Sequence, residues 1–227
     1  MSGKRESVGS EPDLLKDPVE IARREAENAV RQFDAVLDLI DEVARDNRPF
    51  KLRPSTILSL HRLALEGLSR FAGTWRSSKV EIEQSRHQPP HESQVALLME
   101  ELCDWVNDNW TSESALTICA YVMWRLNWVH PFLDGNGRTS RAVSYLVLCA
   151  KIGDRLPGTL TIPEQIAAGR EPYYQALEIA DASWNEKKLD VSEMEKLLTH
   201  YLGVQLASTF EQASKIEEAS ANDKKFH

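Results

Sequence analysis

One segment constrains the fold more than any other. Residues 138 to 152, RTSRAVSYLVLCAKI, are apolar on nearly every side of a helix after the first turn. A helix without a polar face has to be surrounded by other elements, so this segment predicts a buried central helix. Gly153 follows it as a stop signal. The chain therefore needs several amphipathic segments to cover this helix.

Amphipathic helices are indicated along most of the remaining chain. Apolar residues recur at three- and four-residue steps within residues 22–43, 57–71, 95–106 and 115–129. Asp17 and Pro18 form a helix-start signal before the first of these segments. Two further helices are predicted after Pro172 and after Asp190. We therefore expect an all-α bundle.

Residues 77 to 90, SSKVEIEQSRHQPP, break the helical period. Val80 and Ile82 alternate with charged residues, and a double proline ends the run, which predicts one strand or a small β-hairpin. His87 and His91 stand four apart, a metal-ligand spacing on a helix. The prolines between them exclude a helix there, so a zinc site is not favoured.

Composition narrows the classes of function. The chain has 27 Lys and Arg against 35 Asp and Glu, a net charge of -8, which disfavours nucleic-acid binding and makes a DNA-binding or scaffolding role the weakest hypothesis. The three cysteines form no CxxC pair and fall in apolar patterns, as expected of reduced core residues. We find no leader segment and no run long enough to span a membrane, so we expect a cytoplasmic protein without membrane contact.

The stretch HPFLDGNGRTSR, residues 130 to 141, concentrates reactive groups at the entry of the central helix. Backbone N–H groups at a helix N-terminus attract anions, and glycines allow a phosphate to approach closely. Two arginines one turn apart can hold further phosphate oxygens. The predicted nucleotide-binding residues are Gly135, Asn136, Gly137, Arg138 and Arg141.

The acid and the base of the same stretch complete a phosphate-transfer site. A single carboxylate beside phosphates is how Mg²⁺ is usually held, which assigns Asp134 to the metal. His130 offers a base that can take a proton from an attacking hydroxyl. A plain glycine turn with solvated arginines is the alternative, but it does not explain why a histidine, an acid and two arginines crowd one turn of an acidic protein.

These twelve residues match the signature of the Fic family, His-Pro-Phe-x-Asp/Glu-Gly-Asn-Gly-Arg-x-x-Arg, at every specified position. A weaker resemblance extends from about residue 18 to residue 200 and includes LHRLALEGLSRFAGTWR and the segment ending in RHQPP. The resemblance implies a Fic-type helical bundle with one small β-hairpin flap. It also implies transfer of AMP from ATP, with Mg²⁺, to a Ser, Thr or Tyr hydroxyl of a target protein or of the chain itself.

The resemblance assigns roles to individual residues. His130 resembles the general base, Phe132 the anchor of the loop, Asp134 the Mg²⁺ ligand, Arg138 the phosphate-binding arginine and Arg141 the one that meets the γ-phosphate. The remaining loop positions resemble the family's anion hole, which holds the α- and β-phosphates through Gly135, Asn136 and Gly137.

The family's flap resembles residues 79 to 88, and it holds an extended target segment as an added strand. In this chain that assigns target binding to Val80, Glu81 and Ile82. Some relatives remove AMP or transfer another phosphate-containing group, and one branch phosphorylates with a lysine where this chain has Gly137. A self-inhibited nucleotide-binding module is a further alternative, and a homo-oligomer is left open.

A second motif concerns inhibition. Many Fic proteins resemble one another in Ser/Thr-x-x-x-Glu-Gly/Asn, whose glutamate pairs with the last arginine of the loop. Here Glu27 precedes Asn28, but Arg23 stands where Ser or Thr is expected. Glu27 is thus either an inhibitory residue that meets Arg141 or one half of a surface ion pair with Arg23, four residues earlier.

The predicted organisation has four parts. Residues 1–16 form a disordered tail, and 17–50 form a helical segment that carries the candidate inhibitory helix. Residues 51–203 form the Fic domain, and 204–227 form the end of a helix and a frayed tail.

Overall fold

The computed structural model describes residues 7–8, 14–45 and 50–223, of which 7–8 and 210–223 are described through their backbone alone. These residues form eight α-helices, one short 3-10 turn at Glu92–Gln94 and two short strands. The elements are β1 (Ser7–Val8), α1 (Pro18–Arg45), α2 (Pro54–Leu65), β2 (Glu81–Ile82), α3 (Val95–Asp108), α4 (Ala115–Val129), α5 (Asn136–Ile152), α6 (Ile162–Ala168), α7 (Glu171–Asn185) and α8 (Ser192–Asp223). The predicted all-α class is confirmed.

The predicted central helix is α5. It packs against α1, α2, α4 and α6, and every residue from 142 to 150 is buried. Gly153 ends the helix at φ 90°, a left-handed conformation that glycine adopts at little cost. Because α4 and α5 share the most extensive helix packing in the described chain, the loop that joins them is held at both ends.

The N-terminal helix α1 is an integral part of the bundle. Its buried face recurs every four residues, at Asn28, Gln32, Val36 and Ile40. Asn28 Nδ2 donates to the main-chain oxygens of Ala64 and Glu66, at 3.3 and 2.9 Å. Gln32 Nε2 donates to Leu60 O at 3.0 Å. These amides satisfy carbonyls in the last turns of α2, and they fix α1 against the domain that follows it.

The predicted β-hairpin is wrong in its pairing. Within residues 77 to 90, only Glu81–Ile82 is a strand, and its antiparallel partner is Ser7–Val8. The chain turns immediately after β2, where Ser85 N–H donates to Ile82 O and Gln84 has φ 57°. The prolines at 89 and 90 lack the N–H groups that a returning strand would need, so β2 pairs with a distant segment.

The tails predicted at the two ends of the chain stay predictions. Ser7 and Val8, within the predicted tail 1–16, are paired in β1, while residues 1–6 and 9–13 lie outside the described part. Within the predicted segment 204–227, α8 continues to Asp223. Residues 224–227 lie outside the described part.

Helix α6 was not predicted, although its start signal is visible in the sequence. Thr161 is the N-cap, and its main-chain N–H and its hydroxyl donate to the Glu164 carboxylate at 2.9 and 2.8 Å. This capping box precedes only seven helical residues, too few for an apolar period to be read.

Three further observations bear on function. Cys103, Cys119 and Cys149 are buried thiols, as predicted. In the part of the chain that the structure describes, no helix has the length and apolar character to cross a membrane.

The described residues contain no group of three or more His, Cys, Asp or Glu that could act as metal ligands. His87 Nε2 instead lies 2.7 Å from Trp128 O.

Candidate active site

The loop between α4 and α5 has an unusual backbone at both ends. α4 ends at His130, whose φ of 50° and ψ of 58° are left-handed, a conformation uncommon outside glycine and often found at functional sites. Gly135, which precedes α5, is also left-handed at φ 78°. A Cβ on Gly135 would overlap Leu65 Cδ2, so both backbone and space require glycine there.

Asn136 closes the loop upon itself. Its Nδ2 donates to Phe132 O at 2.8 Å, and its Oδ1 accepts from Phe132 N–H at 3.0 Å. The residue is only 3 % exposed. The side chain of Asn136 therefore stabilises the loop. A phosphate would be contacted by the backbone N–H of this residue.

Phe132 anchors the loop in the core, where it is fully buried. Its ring stacks on His61 with 3.6 Å between centroids. His61 Nδ1 accepts from Gly73 N–H at 2.8 Å, so its Nε2–H donates to Asp134 O at 3.0 Å. Burial lowers the pKa of His61 to about 4, which keeps the ring neutral. His61 thus positions the loop from the core.

Arg76 connects the loop between α4 and α5 to residues on both sides of the flap. Its Nε donates to His130 O at 2.7 Å, while Nη1 donates to Ser78 O at 3.1 Å and Nη2 to Pro90 O at 2.5 Å. Its main-chain N–H donates to Pro131 O at 2.8 Å. A buried guanidinium is stable only when its donors are satisfied, and here carbonyls from both segments satisfy them.

His130 lies in the wall of a cavity in a defined protonation state. Its Nδ1 lies 3.3 Å from Asn127 O, and because a carbonyl can only accept, Nδ1 carries the proton. Nε2 is then the basic nitrogen. Burial lowers the pKa of His130 to about 3, so the imidazole is neutral near pH 7 and able to accept a proton.

Arg138 is held by two carboxylates. Nη2 lies 2.7 Å from Asp134 Oδ2, and Nη1 lies 3.1 Å from Glu25 Oε1 on α1. A phosphate would compete with both carboxylates for the same guanidinium. Through the ion pair between Glu25 and Arg138, α1 contacts the first turn of α5.

Arg141 and Glu27 do not form the predicted pair. Glu27 lies on the exposed side of α1, 3.7 Å from Arg23 Nε and 3.5 Å from Arg24 Nε. The helix thus turns Glu27 to solvent and Glu25 to the cavity, and the surface ion pair with Arg23 is the alternative that the structure supports. Burial lowers the pKa of Arg141, whose neighbours include Tyr173.

Gly137 leaves space for Arg141. A Cβ at this position would lie 3.3 Å from Arg141 Nη1, so a side chain at residue 137 would crowd the second arginine of the motif.

The predicted catalytic, nucleotide-binding and metal-binding residues line one cavity of about 580 Å³. Its walls come from the loop, from α1, from the flap segment and from α7. The residues of the stretch 130–141 that line it are His130, Asp134, Gly135, Asn136, Gly137, Arg138 and Arg141. The volume suits a ligand of nucleotide size.

The three predicted flap residues have different environments. Val80 is buried in the core, at 2 % exposure. Glu81 is exposed and pairs with Lys79 at 3.0 Å. Ile82 lines the cavity. The structure therefore brings Ile82 to the site and leaves Val80 as a core residue.

Sequence reasoning missed three residues that shape the site. Arg76 ends the segment LHRLALEGLSRFAGTWR, but the resemblance assigns it no role, and its role depends on carbonyls up to 54 residues away. Glu25 is one of several acids on an amphipathic helix, and only the packing of α1 shows which of them faces the cavity. Asn127 carries no sequence signal either, although its Nδ2 donates to Tyr173 OH at 2.7 Å beside the base.

Sequence comparison relates the chain to known proteins of one family. The Fic/DOC family model matches residues 51–148. Protein adenylyltransferase Fic of Drosophila willistoni is 34% identical over 127 residues, which is 55% of this chain and 24% of that protein. Its counterpart in Drosophila persimilis is 35% identical over 127 residues, 55% of this chain and 23% of that protein. The chain thus spans about a quarter of the length of these curated relatives.

Solved structures show the same fold. A Fic family protein from Desulfovibrio desulfuricans superposes with a TM-score of 0.60 at 25% identity, over 88% of this chain and 55% of that one. Fic-1 from C. elegans superposes with a TM-score of 0.56 at 22% identity, over 85% of this chain and 52% of that one. The family match, the relatives and the neighbours agree that this chain contains a Fic/DOC family domain at residues 51–148.

Proposed function

We propose that this chain is a protein adenylyltransferase that moves AMP from Mg-ATP to a hydroxyl group of a protein. The observation that carries the proposal is the composition of one cavity wall. It contains the neutral His130, the N-terminus of α5 after Gly135, and the two arginines Arg138 and Arg141. The adenylyltransferase relatives support the chemistry. A Fic-fold neighbour from Bartonella tribocorum carries bound AMPPNP, an ATP analogue, which supports a nucleotide in this cavity.

The reaction needs three contributions from the chain. Nε2 of His130 takes the proton of the attacking hydroxyl, since Nδ1 is already protonated and held by Asn127. The backbone after Gly135, at the start of α5, holds phosphate oxygens. Arg138 and Arg141 stabilise the charge that develops as the bond between the α- and β-phosphates breaks.

Asp134 is the residue that would hold Mg²⁺. Its carboxylate lies at the cavity wall with a side chain 59% exposed, and one carboxylate together with phosphate oxygens is a usual magnesium donor set. When bound, Mg²⁺ neutralises phosphate charge. Release of Arg138 from Asp134 would accompany this binding, because the carboxylate cannot serve both cations equally.

The same site supports regulation by α1. Glu25 contacts Arg138 where a phosphate would bind, so α1 can hold the enzyme in a state of low activity. This contact favours Glu25, rather than Glu27, as the inhibitory residue. The second candidate function, a self-inhibited nucleotide-binding module, depends on this same pair.

The proposal includes a cytoplasmic setting. Three buried cysteine thiols support a reducing compartment. The acceptor is a hydroxyl of a target protein or of the chain itself.

The by-product of the reaction tests the proposal. Incubation of the chain with Mg-ATP and a cell lysate should release pyrophosphate in proportion to protein-bound AMP. Release of ADP in proportion to protein-bound phosphate would instead assign a kinase. Binding of ATP without either product, also after Glu25→Gln, would leave the regulatory module as the function.

A further inference from the structure

The edge of β2 is occupied by the chain's own N-terminal segment. Ser7–Val8 pairs antiparallel with Glu81–Ile82, with Ser7 opposite Ile82 and Val8 opposite Glu81. Within the described residues, this is the one β-sheet, and it has two strands. A strand added to the flap is also how an extended acceptor segment would bind. The N-terminal segment therefore takes the position expected for a target.

The register gives the pair a definite orientation. Residues directly opposite in an antiparallel pair belong to the same face of the sheet. Ile82 lines the cavity that holds His130 and the loop, whereas Glu81 is exposed. The register thus assigns Ser7 to the cavity face and Val8 to the face of Glu81.

The N-terminal segment is also tethered to the cavity. Nine residues, 9 to 17, join Val8 to the start of α1. A chain of this length spans at most about 30 Å, and α1 itself lines the cavity through Glu25, Ala26 and Ala29. A short tether keeps the local concentration of the segment near the millimolar range, so an external target has to displace it.

We propose that Ser7 is an acceptor of AMP in cis, which rests on the adenylyltransferase function proposed above. The Ser7 hydroxyl oxygen attacks the α-phosphorus of ATP and forms a phosphodiester bond to AMP. The bond from the α-phosphorus to the bridging oxygen breaks, and pyrophosphate leaves with its electron pair. The hydroxyl proton passes to Nε2 of His130.

The full-length chain tests this proposal directly. After incubation with Mg-ATP labelled at the α-phosphate, peptide mapping should locate AMP on Ser7. The labelled fraction should grow at a rate that does not change with protein concentration, as an intramolecular reaction requires. Ser7→Ala should remove this label, and Ser7→Thr, which keeps a hydroxyl, should retain it. Ser10→Ala is the matched control from the same segment outside β1, and it should label like the unchanged chain.

The outcomes separate this proposal from the function on which it rests. AMP on an added target or on other residues, with Ser7 unmodified, would overturn the inference and leave the function standing. A labelling rate at Ser7 that rises in proportion to protein concentration would overturn the intramolecular route. If the chain transfers AMP to no protein, with or without Glu25→Gln, both the function and the inference fall together.

Discussion

Glu25 of α1 and Arg138 of α5 form an ion pair, with 3.1 Å between Oε1 and Nη1, in the wall of the cavity proposed to bind phosphate. The pair connects a helix outside the family-matched residues 51–148 to the motif inside them. α1 is itself fixed to α2 by Asn28 and Gln32, so Glu25 is presented by a rigid element. A phosphate that binds Arg138 has to displace this carboxylate.

Replacement of Glu25 should therefore increase nucleotide affinity. An exposed ion pair is worth about 0.2–1 kcal/mol, so we expect Glu25→Gln to lower the Kd of ATP by up to about fivefold and to raise the rate of AMP transfer. Titration calorimetry measures the Kd. Glu27→Gln is the matched control, because Glu27 pairs with Arg23 and Arg24 on the surface. A larger effect of Glu27→Gln would restore the inhibitory role that the sequence motif assigns to Glu27.

Asn136 and Arg138 should separate stability from binding. Asn136→Ala removes two buried hydrogen bonds to Phe132, each worth about 1 kcal/mol or more when its partner is left unsatisfied. We expect the free energy of unfolding in urea to fall by about 2–4 kcal/mol.

Arg138→Ala should leave stability nearly unchanged and raise the Kd of ATP about tenfold or more, as expected for a lost charge-assisted hydrogen bond. Equal effects of both variants on stability would contradict this division.

Asp134 should govern the magnesium requirement. Even indirect metal partners are worth about 10–100-fold in affinity, so Asp134→Asn should raise the Mg²⁺ concentration for half-maximal transfer by more than about tenfold. Initial rates across a Mg²⁺ titration at saturating ATP provide the measurement. An unchanged Mg²⁺ dependence would assign the metal to other residues.

Two buried histidines should make the fold sensitive to acid. Burial lowers the pKa of His61 to about 4 and that of His130 to about 3, from 6.5. The unfolded chain then binds more protons than the folded chain at any pH below about 6.5, until the folded-state pKa is passed. The contribution of these two histidines to stability is therefore complete above about pH 6.5, falls as the pH drops below this value and stops changing near pH 3 to 4.

Urea unfolding at pH 8 and pH 5 tests this sensitivity. Each histidine should contribute a loss of about 2 kcal/mol at pH 5. His61→Asn, whose amide oxygen can accept from Gly73 N–H, should reduce the loss by about half. Equal stability of the unchanged chain at the two pH values would show that neither imidazole has to be neutral in the folded state.

Features that depend on a local sequence pattern could be predicted, namely the buried central helix and the residues of the loop motif. The apolar run from 142 to 150 has no polar face, and it is the buried helix. The loop motif is contiguous, and seven of its twelve residues line one cavity. Contacts between distant segments could not be predicted. The partner of β2 lies more than seventy residues away at Ser7–Val8, and the choice between Glu25 and Glu27 depends on how α1 rotates against α2, which Asn28 and Gln32 decide.

The origin of the transferred group tests the central claim most directly. The chain should be incubated, with Mg²⁺, with ATP labelled either at the α-phosphate or at the γ-phosphate, in the unchanged form and as His130→Ala. We predict protein-bound label from the α-phosphate alone, its loss in His130→Ala, and a Kd for ATP in that variant within about twofold of the original, since the base acts on the attacking hydroxyl and not on the nucleotide. Label from the γ-phosphate, or undiminished transfer by His130→Ala, would contradict the assignment of this site as an adenylyltransferase with His130 as its base.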